Sequence, residues 1–209
     1  MVKVSVITVC YNAVEDLKKT LRSVLGQTYT NYEYIVVDGS STDGTQELLR
    51  AYEDVFKKRG RTFRYISEKD SGTYDAMNKG ALMANGEYIN YMNAGDCFYS
   101  EHTLEKFFSH HIDVDSDTLY GNTLQVFDFG SGIAKPSDYA KDNSVMPFCH
   151  QSCFVKAELV KSYKFDISYK IIADQDFFTD YLNITISHSI LKKLYHVIMA
   201  SMDFLQLIL

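Results

Sequence analysis

The chain has 209 residues, 46% hydrophobic and 23% charged, enough for one domain with a real core or a domain with a small appendage. Its net charge of -6 argues against a protein held on nucleic acid by phosphate neutralisation, so any phosphate it binds is bound locally. Cys10, Cys97, Cys149 and Cys153 occur without a secretory leader, because "MVKVSVITV" opens an alternating strand; free thiols in a reducing, cytoplasmic setting are expected. Cys149, His150 and Cys153 lack a second ligand pair at matching spacing, which weighs against structural zinc.

In chain order, the first half alternates strand and helix, with a switch of hydrophobic period each time. "VKVSVITV" is a strand. Asn12 is predicted to cap a helix whose apolar positions Val14, Leu17, Leu21, Val24 and Leu25 keep helical spacing, with Glu15 in capping-box position. "YEYIVVD" is the second strand, and "GSSTDGTQELLRAYEDVF" gives a polar loop and a second helix with Leu48, Leu49, Tyr52, Val55 and Phe56 inward. "FRYISE" is a third strand, "GTYDAMNKGALMA" a third helix stopped by Gly86, and "EYINYM" a fourth strand.

Strands joined through helices imply right-handed crossovers and a mostly parallel α/β sheet with helices on both faces. In such sheets ligands bind beyond the carboxyl ends of the strands. Four loops therefore matter: Thr8 to Asn12, Asp38 to Asp43, Glu68 to Gly72, and Asn93 to Asp96.

Beyond about residue 110, "DTLYGNTLQVFDFGSGIAKP" reads as two short strands around a Gly-Ser-Gly turn. "NSVMPFCHQSCFVKAEL" is a loop entering a strand and then a helix, and "YKIIADQDFFTDYL" delivers acidic residues to a helix start. The last sixteen residues, "LYHVIMASMDFLQLIL", are too short to span a bilayer, which takes about 20 residues, and Asp203 interrupts them. A core element or an interfacial segment is expected.

Asp38 directly follows a buried strand. It fits an Asx turn or helix cap, and equally a carboxylate accepting the N3–H of a uracil-like base while Tyr11 offers a ring face. Asp96 in "NAGD" fits a type I turn with a surface carboxylate, or a ligand for Mg2+ or Mn2+; such ions take one or two carboxylates and fill the other positions with phosphate oxygens and water. Gly95 and Ala94 let the backbone approach a sugar and phosphate. Asp174 and Asp176 fit a helix start, or one of the two a general base that removes a hydroxyl proton. His150 fits a phosphate contact, a metal ligand or a satisfied buried histidine, while Gln151 offers hydrogen bonds alone. Lys79 and Arg64 read as solvated charges unless the helix start faces a diphosphate.

Taken together, these segments resemble family 2 glycosyltransferases, which have the three-layer GT-A fold. "VSVITVCYNAVEDLKKTLRSVLGQTYTNYEYIVVDGSSTDGT" is similar to the nucleotide-binding opening of that family, and "DSGTYDAMNKGALMANGEYINYMNAGD" to its central segment. The likeness runs from about residue 2 to 110 and continues through "CHQSCF" and "YKIIADQDFF". It implies a single domain over residues 1–209, with a nucleotide-sugar-binding half to residue 110 and an acceptor half beyond.

By position, the resemblance implies that Thr8, Val9, Tyr11 and Asp38 hold the nucleobase and that Gly72, Asp75, Asn78 and Lys79 line the donor cleft. "NAGD" stands where the family has its metal-binding Asp-x-Asp, so Asp96 corresponds to the last aspartate and Asn93 to an earlier position, with Ala94 and Gly95 beside the donor. This departure leaves a thinner site for the expected divalent cation, Mn2+ or Mg2+. Asp174 stands where a Glu-Asp pair places the catalytic base, with Ala173 in the Glu position, and His150 belongs to the nucleotide-sugar side. Val37 replaces one aspartate of the frequent Asp-Asp-Gly-Ser sequence.

The implied activity is inverting transfer of a sugar from a nucleoside diphosphate sugar, uridine or thymidine favoured, to a saccharide or lipid-linked acceptor in bacterial polysaccharide biosynthesis. Members with "HQS" and "DQD"-like motifs continue past a segment resembling "VIMASMDF", so the C-terminus is expected to be shortened. An exposed apolar tail there implies self-association or peripheral contact with the inner membrane face. A nucleotidyltransferase or a dinucleotide-dependent dehydrogenase needs a Gly-rich loop after the first strand, which "TVCYNA" lacks. A shortened, non-catalytic binder of nucleotide sugars is the alternative from another functional class.

Overall fold

A computed structural model of the chain describes residues 3–108, 116–127, 129–136, 148–178 and 192–202, the last of these as backbone. Strands β1 (Val4–Cys10), β2 (Tyr32–Asp38), β3 (Thr62–Ser67) and β4 (Tyr88–Tyr91) alternate with helices α1 (Val14–Leu25), α2 (Thr45–Lys58) and α3 (Thr73–Met83). They are parallel neighbours in the order β3-β2-β1-β4. Every residue of β2 is buried, as a parallel strand covered on both faces requires. Its side chains alternate accordingly: Tyr32, Tyr34 and Val36 join a cluster with Leu17, Leu21, Leu49 and Phe56 of α1 and α2, while Ile35 and Val37 join Ala76 and Met77 of α3.

The second half widens this sheet. Strands β5 (Cys97–Phe98), β6 (Thr118–Phe127), β7 (Gly130–Ala134), β8 (Cys153–Lys156) and β9 (Lys192–Met202) continue the order as β4-β8-β6-β9-β5, with β7 on β6. Because β8 runs antiparallel to both β4 and β6, the sheet is mixed. Helix α4 (Thr103–Phe108) shares the face of α1 and α2, and α5 (Ala157–Tyr163) shares that of α3, giving three layers. The expected hairpin is β6 and β7, which pair from Phe127 and Gly130, so Gly-Ser-Gly lies inside β7 and not in the turn. The apolar C-terminal stretch supplies β9, parallel to β6; residues 203–209 lie outside the described residues. No helix among the described residues is long and apolar enough to cross a membrane.

Three local expectations are corrected. Asn12 does not cap α1: its φ of 48° turns the chain, its N–H donates to Ser41 Oγ (2.7 Å) and its Oδ1 accepts from the Thr42 N–H (2.9 Å). The Val14 N–H goes to Asp43 Oδ2 (2.9 Å), and Asp43 Oδ1 takes the Thr45 N–H (3.1 Å) and hydroxyl (2.6 Å). One carboxylate between two parallel strands thus serves two helix starts, a partner that no local spacing reveals. Helix α3 ends at Met83 with Ala84 already extended, and Gly86 instead donates its N–H to Ser5 Oγ (2.9 Å). Val55 is exposed, which narrows the inward stripe of α2 to Leu49 and Phe56 with Leu48 and Tyr52 half-buried.

At the amino ends of the strands lies a buried ion pair. Glu33, 1% exposed, accepts from Ser5 Oγ (2.6 Å), from Arg64 Nη2 (2.6 Å) and from the Asn85 N–H. Arg64 also donates to the Met83 carbonyl, so it is a structural cation and not a freely solvated one.

Candidate active site

At the carboxyl ends of β1, β2 and β3, three loops converge on Gly39. A Cβ there would stand 2.8 Å from Asp70 Oδ2 and 3.3 Å from the Tyr11 ring, so a side chain at this position would push the Asp70 carboxylate aside. Tyr11 is 66% exposed and presents its ring to solvent. Asp70 uses Oδ1 to accept the Gly72 N–H (2.9 Å), while Oδ2 faces Gly39. An exposed ring beside an open carboxylate oxygen is the arrangement that stacks a planar base and accepts its N–H.

Asp38 makes the contacts of its turn reading. It is fully buried, with Oδ1 accepting from the Ser41 hydroxyl and Oδ2 from the Ser41 N–H (3.1 Å) and Ser67 Oγ (2.6 Å). Its carboxylate therefore ties the ends of β2 and β3 together and holds up Gly39. Burial first, then the charges of Asp38, Asp43 and Asp70, push the Cys10 thiol far up, which keeps it protonated. Thr8 is also buried, accepting from the Tyr34 hydroxyl (2.9 Å), and Val9 packs toward α3.

"NAGD" is a turn after β4. The Asp96 N–H donates to the Asn93 carbonyl (3.1 Å), the Asn93 N–H returns to Asp96 Oδ2 (3.2 Å), and Gly95 has the φ of 102° that the third position of a type II turn needs. The Gly95 N–H is held by Thr20 Oγ1 of α1 (2.9 Å). Asp96 is 4% exposed, so it is a buried carboxylate and not the surface aspartate of the simple turn reading.

Asp174 opens the helical stretch over 173–178. Its Oδ1 accepts from the Tyr74 hydroxyl of α3 (3.0 Å), and its Oδ2 from His150 Nδ1 (2.8 Å). Burial pushes its pKa up, but the hydrogen bond and charge of His150, with hydrogen bonds from Tyr74 and the Gln175 N–H, outweigh it and hold the carboxyl below the usual range. Burial pushes the neighbouring Cys149 thiol up to about 11, with further upward contributions from the charges of Asp96 and Asp174. The half-buried Cys149 thiol thus feels the charge of both carboxylates, which come from different loops.

His150 starts a single 3-10 turn, His150–Ser152, that leads into β8. Asn90, buried in β4, donates to the carbonyls of Gln151 and Cys153 (both 2.8 Å) and fixes that turn to the sheet. Gln151 accepts from Cys149 Sγ (2.7 Å). His150 therefore meets a carboxylate, where the resemblance implied a donor contact.

The four residues expected along the donor cleft have scaffold partners. Gly72 caps α3, Asp75 accepts the Ser71 N–H (2.9 Å), and Lys79 pairs with Glu68 (2.9 Å) and donates to the Lys69 carbonyl. Asn78 exchanges two hydrogen bonds with the backbone of Phe165 (2.8 and 2.9 Å), pinning the loop after α5 to α3. Asp70, Tyr74 and Asn90, which were not among the expected residues, hydrogen-bond to groups around them: the Gly72 N–H, Asp174 and the His150–Ser152 turn. Asp70 lies in a strand-end loop of "KDSG", and an asparagine inside the apolar "EYINYM" is a visible signal; Tyr74 carries none.

Comparison with known proteins agrees with this architecture. The model of the family "Glycosyl transferase family 2" matches residues 5–190. A PGL/p-HBAD biosynthesis glycosyltransferase of Mycobacterium tuberculosis is 29% identical over 180 residues, covering 83% of this chain and 67% of that one. TuaG of Bacillus subtilis, described as a teichuronic acid biosynthesis glycosyltransferase, is 39% identical over 93 residues, 44% of this chain and 36% of its own. Among solved structures, S. aureus TarS 1-349 in complex with UDP-GlcNAc superposes with a TM-score of 0.75 at 21% identity, over 96% of this chain and 58% of that one. The mannosyltransferase PcManGT from Pyrobaculum calidifontis, in complex with GDP-Man and Mn2+, gives 0.71 at 21% identity, over 96% and 56%. The chain thus spans little more than half of these solved chains, and at such identities they show the fold, GT-A. With the family matched along most of its length, the chain belongs to glycosyltransferase family 2.

Proposed function

We propose that this chain is an inverting glycosyltransferase domain that moves a sugar from a uridine or thymidine diphosphate sugar to a hydroxyl of a saccharide or lipid-linked acceptor, in the building of a cell-surface glycan. The observation that carries the reading is the set of groups along the carboxyl edge of the sheet: Tyr11 and Asp70 around Gly39, then buried Asp96 and the half-buried Asp174, both of which act on the Cys149 thiol. The named roles of the mycobacterial and Bacillus relatives, and the UDP-GlcNAc bound by TarS, support donor and product class. We read residues 1–209 as one domain, working in the cytoplasm at the inner membrane face, where a lipid-linked acceptor is presented.

In this reading Tyr11 stacks on the base and Asp70 Oδ2 accepts its ring N–H. Asp96 offers the hard oxygen donor that Mg2+ or Mn2+ prefers, and with one carboxylate the remaining positions fall to donor diphosphate oxygens and water. No group of three or more metal-binding side chains gathers among the described residues, so the fit is that of a cation shared with the donor. When bound, the cation neutralises the leaving diphosphate. Asp174, kept ionised by its donors, takes the proton of the acceptor hydroxyl as that oxygen attacks the sugar carbon from the side opposite the diphosphate. One displacement inverts the anomeric centre.

Thermal unfolding with UDP, dTDP, GDP or CDP, each with and without Mn2+, tests the donor assignment. A ligand at 100 times its dissociation constant adds about 2.7 kcal/mol of stability. Stabilisation by UDP or dTDP is expected, with its Mn2+-dependent part lost in Asp96→Asn and its strength reduced about tenfold in Asp70→Asn, the weight of about one hydrogen bond. A folded sample that no nucleotide stabilises would overturn the reading.

A further inference from the structure

Asp174, the base of the reading above, is gripped from two sides, and one grip comes from a residue whose surroundings a packing role does not explain. His150 and Asp174 are 12% and 17% exposed, with Nδ1 2.8 Å from Oδ2. The other ring nitrogen, Nε2, is buried with no hydrogen-bond partner among the described residues. The ring borders an apolar cavity also lined by Met77, Tyr91, Phe165, Phe177 and Phe178. A side chain kept to fill that cavity would be better apolar, because an orphaned buried nitrogen costs stability. The carboxylate only accepts, so Nδ1 carries a proton.

We propose that His150 is a positioning residue: with Tyr74 it clamps the Asp174 carboxylate by one side-chain donor on each oxygen, so that the lone pairs left beside these and the Gln175 N–H face the acceptor hydroxyl. The clamp is built from the sheet outward. Asn90 of β4 holds the 3-10 turn through two carbonyls, Ser152 Oγ ties it to the Gly121 carbonyl (3.1 Å), and the turn holds the ring. Tyr74 approaches from α3, whose Asn78 fixes the Phe165 backbone. Two fixed bonds leave the carboxylate little freedom to rotate away from its target, and misplacement of a reacting group by about 1 Å can cost about 100-fold in rate.

The clamp also sets when the base is available. Tyr74, pushed up to about 12 by burial and by the Asp174 charge, stays a donor throughout the working range. The thiols of Cys149 and Cys153, raised first by burial, stay neutral; His150 lowers Asp174 by its charge as well as by its hydrogen bond, Asp96 acts on the Cys149 thiol, and Asp176 lies on the same helix. Asp174 is depressed below its ordinary value, so it is ionised above that lowered pKa and loses the charge only as pH falls through it. Removing the His150 donor leaves burial less opposed, and the pKa rises.

The test uses the full chain as wild type, His150→Leu, which fills the space without a donor, and His150→Asn, whose side-chain amide keeps a donor where Nδ1 stood. Two readouts are taken: the pH dependence of kcat/KM for UDP release from UDP-GlcNAc with Mn2+, and the carboxyl 13C titration of Asp174, assigned by its loss in Asp174→Asn. His150→Leu is expected to lower kcat by about 10- to 100-fold with little change in donor KM. It should also move the acid limb and the carboxyl midpoint to higher pH, and His150→Asn should restore both. Tyr74→Phe, which removes the other donor, should shift the same limb in the same direction and decides the question if His150→Leu does not fold. A carboxyl midpoint that stays put in the leucine variant, or an asparagine variant as impaired as leucine, overturns the clamp. Wild type that releases no UDP speaks against the transferase reading, while the carboxyl titration still decides the clamp.

Discussion

Glu33 and Asp174 are carboxylates largely withdrawn from water at opposite ends of the same sheet, and they are held by different means. Glu33, at the amino end of β2, is given a cation, Arg64, together with a hydroxyl and a backbone amide, and is shut off from solvent. Asp174, at the carboxyl end, is given a phenol, an imidazole nitrogen and the Gln175 N–H, and keeps 17% of its side chain exposed. A full counter-charge and complete burial remove an acid from chemistry and leave it to hold strands together. Donors that leave lone pairs open, with a path to solvent, keep the acid reactive. By this standard Asp38, saturated by Ser41 and Ser67 and fully buried, belongs with Glu33, although it lies at the functional end of its strand.

Breaking the structural acids should cost stability and leave the chemistry in place. The largest effect is expected for Glu33→Ala, which strands part of the Arg64 charge and two further donors; breaking a buried pair costs about 3 to 5 kcal/mol, and the one-third exposure of Arg64 favours the lower end. Urea unfolding measures it. Burial pushes Glu33 up, but its donors outweigh that and hold it below 4.5. Its contribution is therefore complete above that value and is lost as pH falls through the lowered folded pKa. The acid arm of a Tm-against-pH profile should shrink in Glu33→Gln.

Asp38→Ala should cost less, about 1 to 3 kcal/mol for donors left unpaired in the interior, and should disturb nucleotide binding through Gly39 and Asp70. If it instead abolishes binding with no loss of stability, Asp38 faces the base directly and the division drawn here fails at that residue. Asp43→Ala is the smallest, about 1 kcal/mol for a lost cap, because Asp43 itself is exposed and water can replace its carboxylate.

The alternation of strands and helices through β4 was legible because each element carries its own period and both faces of β2 are apolar. The order of β8, β6 and β9 was not, since it rests on pairings between distant segments that no local pattern encodes. At the site, "NAGD" and Asp174 stood out as charge after apolar runs. Asp38 was ambiguous because Asp-Gly-Ser-Ser suits a turn and a binding loop equally, and only its burial separates the two. Asp43 as the shared cap and Tyr74 as a clamp depend on contacts across the fold, 29 residues to Val14 and 100 to Asp174.

The division between structural and reactive acids is tested most directly by Asp174→Asn. UDP release from UDP-GlcNAc with Mn2+ and the affinity for UDP should be measured on the same protein. The account predicts a loss of about 100- to 10,000-fold in turnover, the usual weight of a general base, with UDP affinity unchanged. Turnover equal to wild type in a variant that still binds UDP would contradict it.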